Sequence, residues 1–179
     1  NLGVLAGHAQ TLGLAIPDTA LAALEVLPDS GYVRLQSGDA VMIADVGEIG
    51  PAYLPGHAHA DTLSFEFSLR GKRVLVNGGT STYEVGAERL RQRGTPAHNA
   101  VAVNGEDSSE VWSSFRVARR AHPHRVGFGE NAQGLWLDAS HDGYRRLPGI
   151  GDVRRVWRLG MGRLEVEDSV EGNDGRLGN

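Results

Sequence analysis

The run from Gly56 to Tyr83, GHAHADTLSFEFSLRGKRVLVNGGTSTY, constrains this chain more than any other stretch. His57, His59 and Asp61 alternate with alanines and lead into Leu63, Phe65, Phe67 and Leu69 at the same period of two. On one extended segment, successive side chains point to opposite faces, so the imidazoles, the carboxylate and the apolar residues would share a face. The expectation is a polar cluster at the rim of a buried sheet surface. Two histidines and an aspartate in line with core positions point to a metal, a proton transfer or an anionic ligand, because burying such groups otherwise costs free energy.

The rest of the chain supplies a sheet-rich framework. From Gly31 onward short runs of β character are separated by Gly, Asp, Asn and Pro. The expected strands are Tyr32 to Leu35, Ala40 to Asp45, Thr62 to Leu69, Arg73 to Asn77, Asn99 to Val103, Ser113 to Ala118, Arg125 to Gly129, Gly134 to Ala139, Val153 to Leu159 and Arg163 to Val170. Turn signals such as Ser37-Gly38-Asp39, Arg70-Gly71-Lys72 and Asn104-Gly105-Glu106 lie between them. Near-regular spacing of this kind predicts an all-β antiparallel sandwich, jelly-roll-like. Residues 1–28 are Ala- and Leu-rich, and Pro17-Asp18-Thr19 before Ala20, Leu21, Leu24 and Leu27 predicts a capped short helix, a connector ahead of a β domain over 29–179. One further helical turn is expected at Gly86 to Gln92.

The 179 residues, 40% of them hydrophobic, suffice for one domain with a core. The chain starts at Asn1 and closes on a Gly-rich charged run, so it is expected to be a piece of a longer protein, truncated at its C-terminus. No stretch approaches the roughly 20 apolar residues of a membrane span, so no membrane insertion is expected. No nucleic-acid motif is present. With no cysteine, any metal must be held by histidine, carboxylate or amide oxygen. Lys72 is the one lysine among eighteen basic residues, and seven arginines against four acids make Gly86 to Arg125 locally basic.

Three of the seven histidines, His57, His59 and His98, sit where chemistry is expected. His98 precedes the expected strand Asn99 to Val103, whose hairpin pairing would bring it beside His59. Two imidazoles and one oxygen from Asp61 or Asn77 would leave a tetrahedral zinc one open position; histidines that only brace turns are the plainer reading. Tyr83, after the flexible Gly78-Gly79-Thr80-Ser81-Thr82 turn, carries a phenol that can bind or protonate a sugar oxygen, or pack at a loop edge. Arg89, Arg91 and Arg93 would form a basic stripe for a polyanion if extended, and would splay on a helix. Trp112, Trp136 and Trp157 read as core residues rather than sugar-stacking platforms. Asp45 and Glu48 read as solvated loop acids that could pair.

The motif set HxHxD, a strand ending in a Gly-rich TSTY turn, and AHNxVxVNG, spanning Pro55 to Trp112, resembles the C-terminal β domain of the heparinase II/III-like bacterial polysaccharide lyases. The looser likeness runs from about Asp29 to Gly172. It implies an N-terminal α/α toroid as partner domain in the same protein, with the active site between the two and an anionic polysaccharide as substrate. Periplasmic or secreted placement in a bacterium is the expectation. Position by position, it implies that His57 faces the uronate in charge neutralisation or proton transfer, that His59 and His98 are zinc ligands, and that Tyr83 lies near the substrate. The family's third ligand is an aspartate where this chain has Asn77, a departure that weakens the site or shifts the duty to Asp61. The implied reaction is β-elimination on a uronic acid, with the principal base and carboxylate clamp on the toroid and the isolated chain inactive. A cupin-type metal enzyme is the alternative from another class, although Glu66 lies seven positions beyond His59 where cupins place a glutamate four or five beyond. A non-catalytic β-sandwich that binds carbohydrate or serves as a scaffold is the third reading.

Overall fold

A computed structural model describes residues 9–14, 21–51, 53–160 and 162–172. A five-stranded antiparallel sheet holds β1 (Leu24–Leu27), β2 (Tyr32–Ser37), β3 (Ala40–Asp45), β4 (Phe65–Leu69) and β5 (Lys72–Leu75), in that order. After a short helix α1 (Ala87–Arg93) and the small hairpin of β6 (Val111–Trp112) and β7 (Arg116–Val117) comes the second sheet. It contains β8 (Pro123–Asn131), β9 (Gly134–His141), β10 (Ile150–Gly160) and β11 (Arg163–Gly172), again as sequential neighbours. The all-β antiparallel sandwich is as expected. Its two main sheets are meanders, so the likeness to a jelly roll is one of layers, not of connections.

Period-two alternation places the core between these sheets. Val33 and Leu35 of β2 and Met42 and Ala44 of β3 face Leu135, Leu137 and Ala139 of β9 and Trp157 and Leu159 of β10, all nearly inaccessible. Full burial of each Leu, Val or Met side chain is worth roughly 1.5–3 kcal/mol. Phe65 meets Trp157 edge to face with centroids 6.2 Å apart, the geometry the ring quadrupoles favour. Trp157 is the core residue the sequence predicts, whereas Trp112 is 46% exposed on the hairpin and corrects the reading of it as core. The β4–β5 turn places Arg70 and Gly71 at φ +52° and +72°, the left-handed pair that lets a two-residue hairpin follow the sheet's twist.

Several expectations are revised. Leu24 and Leu27, read as helical, lie in β1, which pairs Leu24 with Leu35 and Leu27 with Tyr32. The first strand of the sandwich therefore lies inside the segment expected to be a connector. The cap at Pro17 to Thr19 falls outside the described residues. The long strand from Thr62 is shortened to Phe65–Leu69: Pro55–His57 is a 3-10 turn and Leu63 has φ +63°, so the period of two is broken before the core positions. Asn99 to Val103 forms no strand, contributing only the bridge between Val103 and Glu106. The helical turn expected at Gly86 to Gln92 is present as α1.

At the end of β9, His141 is fully enclosed against Tyr144, its Nδ1 accepting the Gly143 N–H at 3.1 Å. Burial lowers its pKa from the ordinary 6.5 to about 4. The unfolded chain thus binds a proton here between pH 6.5 and 4 that the folded chain does not, so this stability is complete above pH 6.5 and lost as pH falls through the window. In urea unfolding at a series of pH values, the parent should lose about 3 kcal/mol more between pH 7 and pH 4 than His141→Gln, whose amide can still accept the Gly143 N–H. Equal losses would contradict a neutral, buried His141.

Candidate functional site

The segment from Pro55 to Asp61 belongs to no strand, yet it keeps the alternation of the sequence because α1 and the turn after it hold its backbone. Ala60 donates its N–H to Arg93 O (2.8 Å), and Ala60 O accepts from Thr95 Oγ1 (2.7 Å). The Arg93 guanidinium, wholly buried, donates to Ala58 O (2.8 Å), Pro55 O (3.4 Å) and Arg116 O (3.3 Å). Ala58 and Ala60 are packed inward, at 7% and 0% exposure. Their small side chains permit this close approach, and residues 57, 59 and 61 consequently line a cavity of about 410 Å³ together with Asn77, Thr80 and His98.

The arginines on α1 therefore form no basic stripe. Arg89 and Arg93, four apart on a helix, both turn inward. Arg91 turns outward and pairs with Glu88 at 2.7 Å. Arg89 donates to Thr80 Oγ1 (2.7 Å), His59 Nε2 (3.2 Å) and Gly56 O (3.1 Å), and its guanidinium carbon lies 5.1 Å from the Tyr83 ring centre. The alternating spacing concealed this arrangement; with the helix at Gly86 to Gln92 already expected, the i, i+4 relation of Arg89 and Arg93 was the available signal. Thr80 had no signal beyond its place in the Gly-rich turn.

At the cavity floor His59 Nδ1 lies 3.2 Å from His98 Nε2. The approach is made by the 3-10 turn Thr95–Ala97, not by the hairpin the sequence suggested. A guanidinium can only donate, so in the metal-free protein His59 Nε2 accepts from Arg89, Nδ1–H of His59 donates to His98 Nε2, and Nδ1–H of His98 donates to Asn77 Oδ1 at 2.5 Å. Burial, then for His59 the neighbouring His98, Arg89 and Arg93, holds both imidazoles down to about 4, and both are neutral at pH 7. Burial and then the charge of Asp45 raise Asp61 to about 7, and burial raises Asp45 to about 6.

Neutral imidazoles beside carboxyl groups that are costly to ionise alone form a donor set that favours a cation. Ligand atoms from His59, Asp61 and His98 lie within 4.8 Å of one another. Two nitrogens on a tetrahedral zinc at ordinary Zn–N lengths sit about 3.3 Å apart, close to the distance between these rings. With a dication in place of the bridging proton, His98 would keep its Nδ1–H facing Asn77 Oδ1, while the His59 proton would move from Nδ1 to Nε2, where Thr80 Oγ1 at 3.1 Å can accept it once Arg89 gives up its contact there. The residues fit zinc. Asp61 supplies the carboxylate of this cluster, and Asn77 Oδ1 meets the Nδ1 side of His98, away from His59.

His57 is an exposed residue of the cavity lining, and the exposed Tyr83 meets it with ring centres 5.6 Å apart and planes at 71°. Asp45 and Glu48 line the same cavity. Asp45 is not simply solvated, being part-buried and accepting the Gly47 N–H, whereas Glu48 is exposed as expected and meets His122 Nδ1 at 2.9 Å.

The family model described as Heparinase II/III-like, C-terminal, matches residues 19–177. FtsZ-localized protein C of Caulobacter vibrioides is 30% identical over 171 residues, covering 90% of this chain and 28% of that protein. The crystal structure of Heparinase III superposes with a TM-score of 0.68 at 20% identity, over 87% of this chain and 23% of that one. Heparan sulfate lyase HepC from Pedobacter heparinus gives 0.65 at 16% identity, over 96% and 27%. The chain thus spans about a quarter of the length of these relatives.

Zinc titration against a chromophoric chelator at pH 7 should show one equivalent bound. His59→Ala, His98→Ala and Asp61→Ala should each abolish it. Asn77→Ala should weaken it by about 10- to 100-fold, the usual effect of losing an outer-shell partner. Unchanged affinity in Asp61→Ala, or abolition in Asn77→Ala, would reverse the assignment of the third ligand.

Proposed function

The chain belongs to the heparinase II/III-like C-terminal family, and from that membership together with its histidine cavity we propose that the whole protein is a polysaccharide lyase cleaving uronic-acid-containing glycans by β-elimination. In this reaction a base removes the proton on C5 of the uronate, which binding and neutralising the adjacent carboxylate makes less unfavourable. An acid protonates the departing glycosidic oxygen, and the product carries a 4,5-unsaturated uronosyl end.

The observation that carries the reading is the edge contact of His57 with Tyr83 over the paired His59 and His98. An imidazole and a phenol, both solvent-accessible and fixed side by side, can take up and deliver protons on one substrate. Arg89 links their supports, bonding Gly56 O next to His57 and lying against Tyr83, so the two groups are positioned as a unit. Zinc, when bound by His59, His98 and Asp61, would supply positive charge near the substrate carboxylate, where the enolate-like charge develops. The principal base and carboxylate clamp are assigned to a toroid domain in the same protein. Alginate, hyaluronan and heparan sulfate are the substrate classes to test.

The cupin-type reading has no support: the histidine segment is not a barrel strand, and Glu66 pairs with Arg73 at 2.8 Å. The scaffold reading is favoured by one observation, that the 30% identical relative is an FtsZ-localized protein. Under it the whole protein would have FtsZ as a partner and the histidines would only brace the loop.

Incubating the intact protein with these glycans should raise ultraviolet absorbance from the new double bond, while this chain alone should give no rise. His57→Ala and Tyr83→Phe should each lower kcat by at least about 100-fold, the usual contribution of a proton-transfer group. Lack of turnover on every uronate glycan by an intact, zinc-loaded protein would favour the scaffold reading.

A further inference from the structure

We propose that the β6–β7 hairpin is a second sugar-binding subsite, in which Trp112 and Arg116 hold a hexuronate residue of the chain that reaches the cavity; the inference rests on the lyase reading and assigns a substrate contact outside the histidine cluster. Trp112 and Arg116 are direct cross-strand partners, with the guanidinium carbon 4.8 Å from the indole centre. Both are exposed. Trp112 is 46% exposed on a hairpin that Arg93 ties to the Pro55–His57 turn, so part of its indole is open to a ligand. Arg91 and Arg119 are engaged by Glu88 and Glu110, whereas Arg116 has no carboxylate partner among the described residues.

The protein side chains that line the cavity leave room for such a contact. Asp45, Glu48 and Asp61 line it, and no lysine or arginine does among the described residues. Arg89 and Arg93 lie beneath it and bond to protein groups. Beyond the cavity walls, Arg116 offers a further carboxylate of the same glycan a planar fork suited to it. The apolar face of a pyranose can lie on the open part of the indole while its carboxylate reaches the guanidinium.

The hairpin is fixed to the same framework as the cavity. Its turn holds Ser113 and Ser114 at φ +46° and +60°, a left-handed conformation that non-glycine residues adopt at a cost and that persists only where the surroundings impose it. Ser114 is buried, and its Oγ accepts the Gly86 N–H at 3.1 Å, next to the Tyr83 loop. Arg93 bonds both Arg116 O and Pro55 O, two residues before His57. Arg89 lies 5.6 Å from the Phe115 ring centre and 5.1 Å from that of Tyr83. Subsite and cavity mouth thus have a common rigid base, as extended glycan recognition requires.

The test is calorimetric titration of the intact protein with an unsulfated octasaccharide alternating hexuronate and N-acetylhexosamine, and with the same octasaccharide carboxyl-reduced. Trp112→Ala and Arg116→Gln should each raise Kd for the acidic octasaccharide by about tenfold. The Arg116→Gln effect should vanish with the carboxyl-reduced form. Arg116→Gln keeps the hairpin pairing, so it remains informative if Trp112→Ala does not fold. Octasaccharide binding with both variants weakened, together with lack of turnover by the parent on every uronate glycan, would overturn the lyase reading and leave the subsite standing. Turnover by the parent with both variants within twofold in Kd would overturn the subsite and leave the lyase reading. Absence of any binding by the parent would overturn the subsite.

Discussion

Two buried guanidiniums on one short helix hold the candidate site together. The segment carrying His57, His59 and Asp61 pairs with no strand, so its carbonyl groups need donors from elsewhere or would be left costly and unsatisfied. Arg93 provides them to Pro55 and Ala58, and Arg89 to Gly56. An arginine suits this task because its planar fork reaches several acceptors from one fixed position and stays charged when enclosed. Burial and then the neighbouring His98 keep His59 neutral, and the cationic charge of Arg89 and Arg93 adds to them.

Above that base the electrostatics run in the opposite sense. Two neutral imidazoles face each other, and Asp61 and Asp45 ionise only reluctantly in the metal-free cavity. A dication would relieve the carboxylate desolvation and take the place of the proton between the rings. The Asn77 amide, poor as a ligand, is well suited to accept the His98 N–H. Its presence where the family has aspartate is consistent with a site in which the carboxylate comes from sixteen positions earlier in the chain, at Asp61.

Much of the sandwich was legible because alternation over β2, β3, β9 and β10 coincides with the buried face. Gly38, Gly71 and Gly162 mark the turns between strands with positive φ. The His-Ala-His-Ala-Asp run was singled out from its composition, and its polar residues do line one cavity, but the assumed cause was different. Its alternation reflects alanines packed under α1, not a strand, and the left-handed Leu63 separates it from the core pattern that follows. Proximity of His98 to His59 was correctly anticipated through a hairpin that does not form. Arg89 and Arg93 were legible only through their i, i+4 relation on the expected helix, and Trp112 could not be told from a core residue because exposure on a two-residue strand leaves no periodic trace.

The central claim is that buried arginines hold a pocket of neutral imidazoles whose proton positions are fixed by their neighbours. Long-range proton–nitrogen NMR on the metal-free protein at pH 7 reads those positions directly. The account predicts that His59 and His98 are both neutral and both protonated on Nδ1. A doubly protonated ring at either position, or a proton on Nε2 of His98, would contradict it.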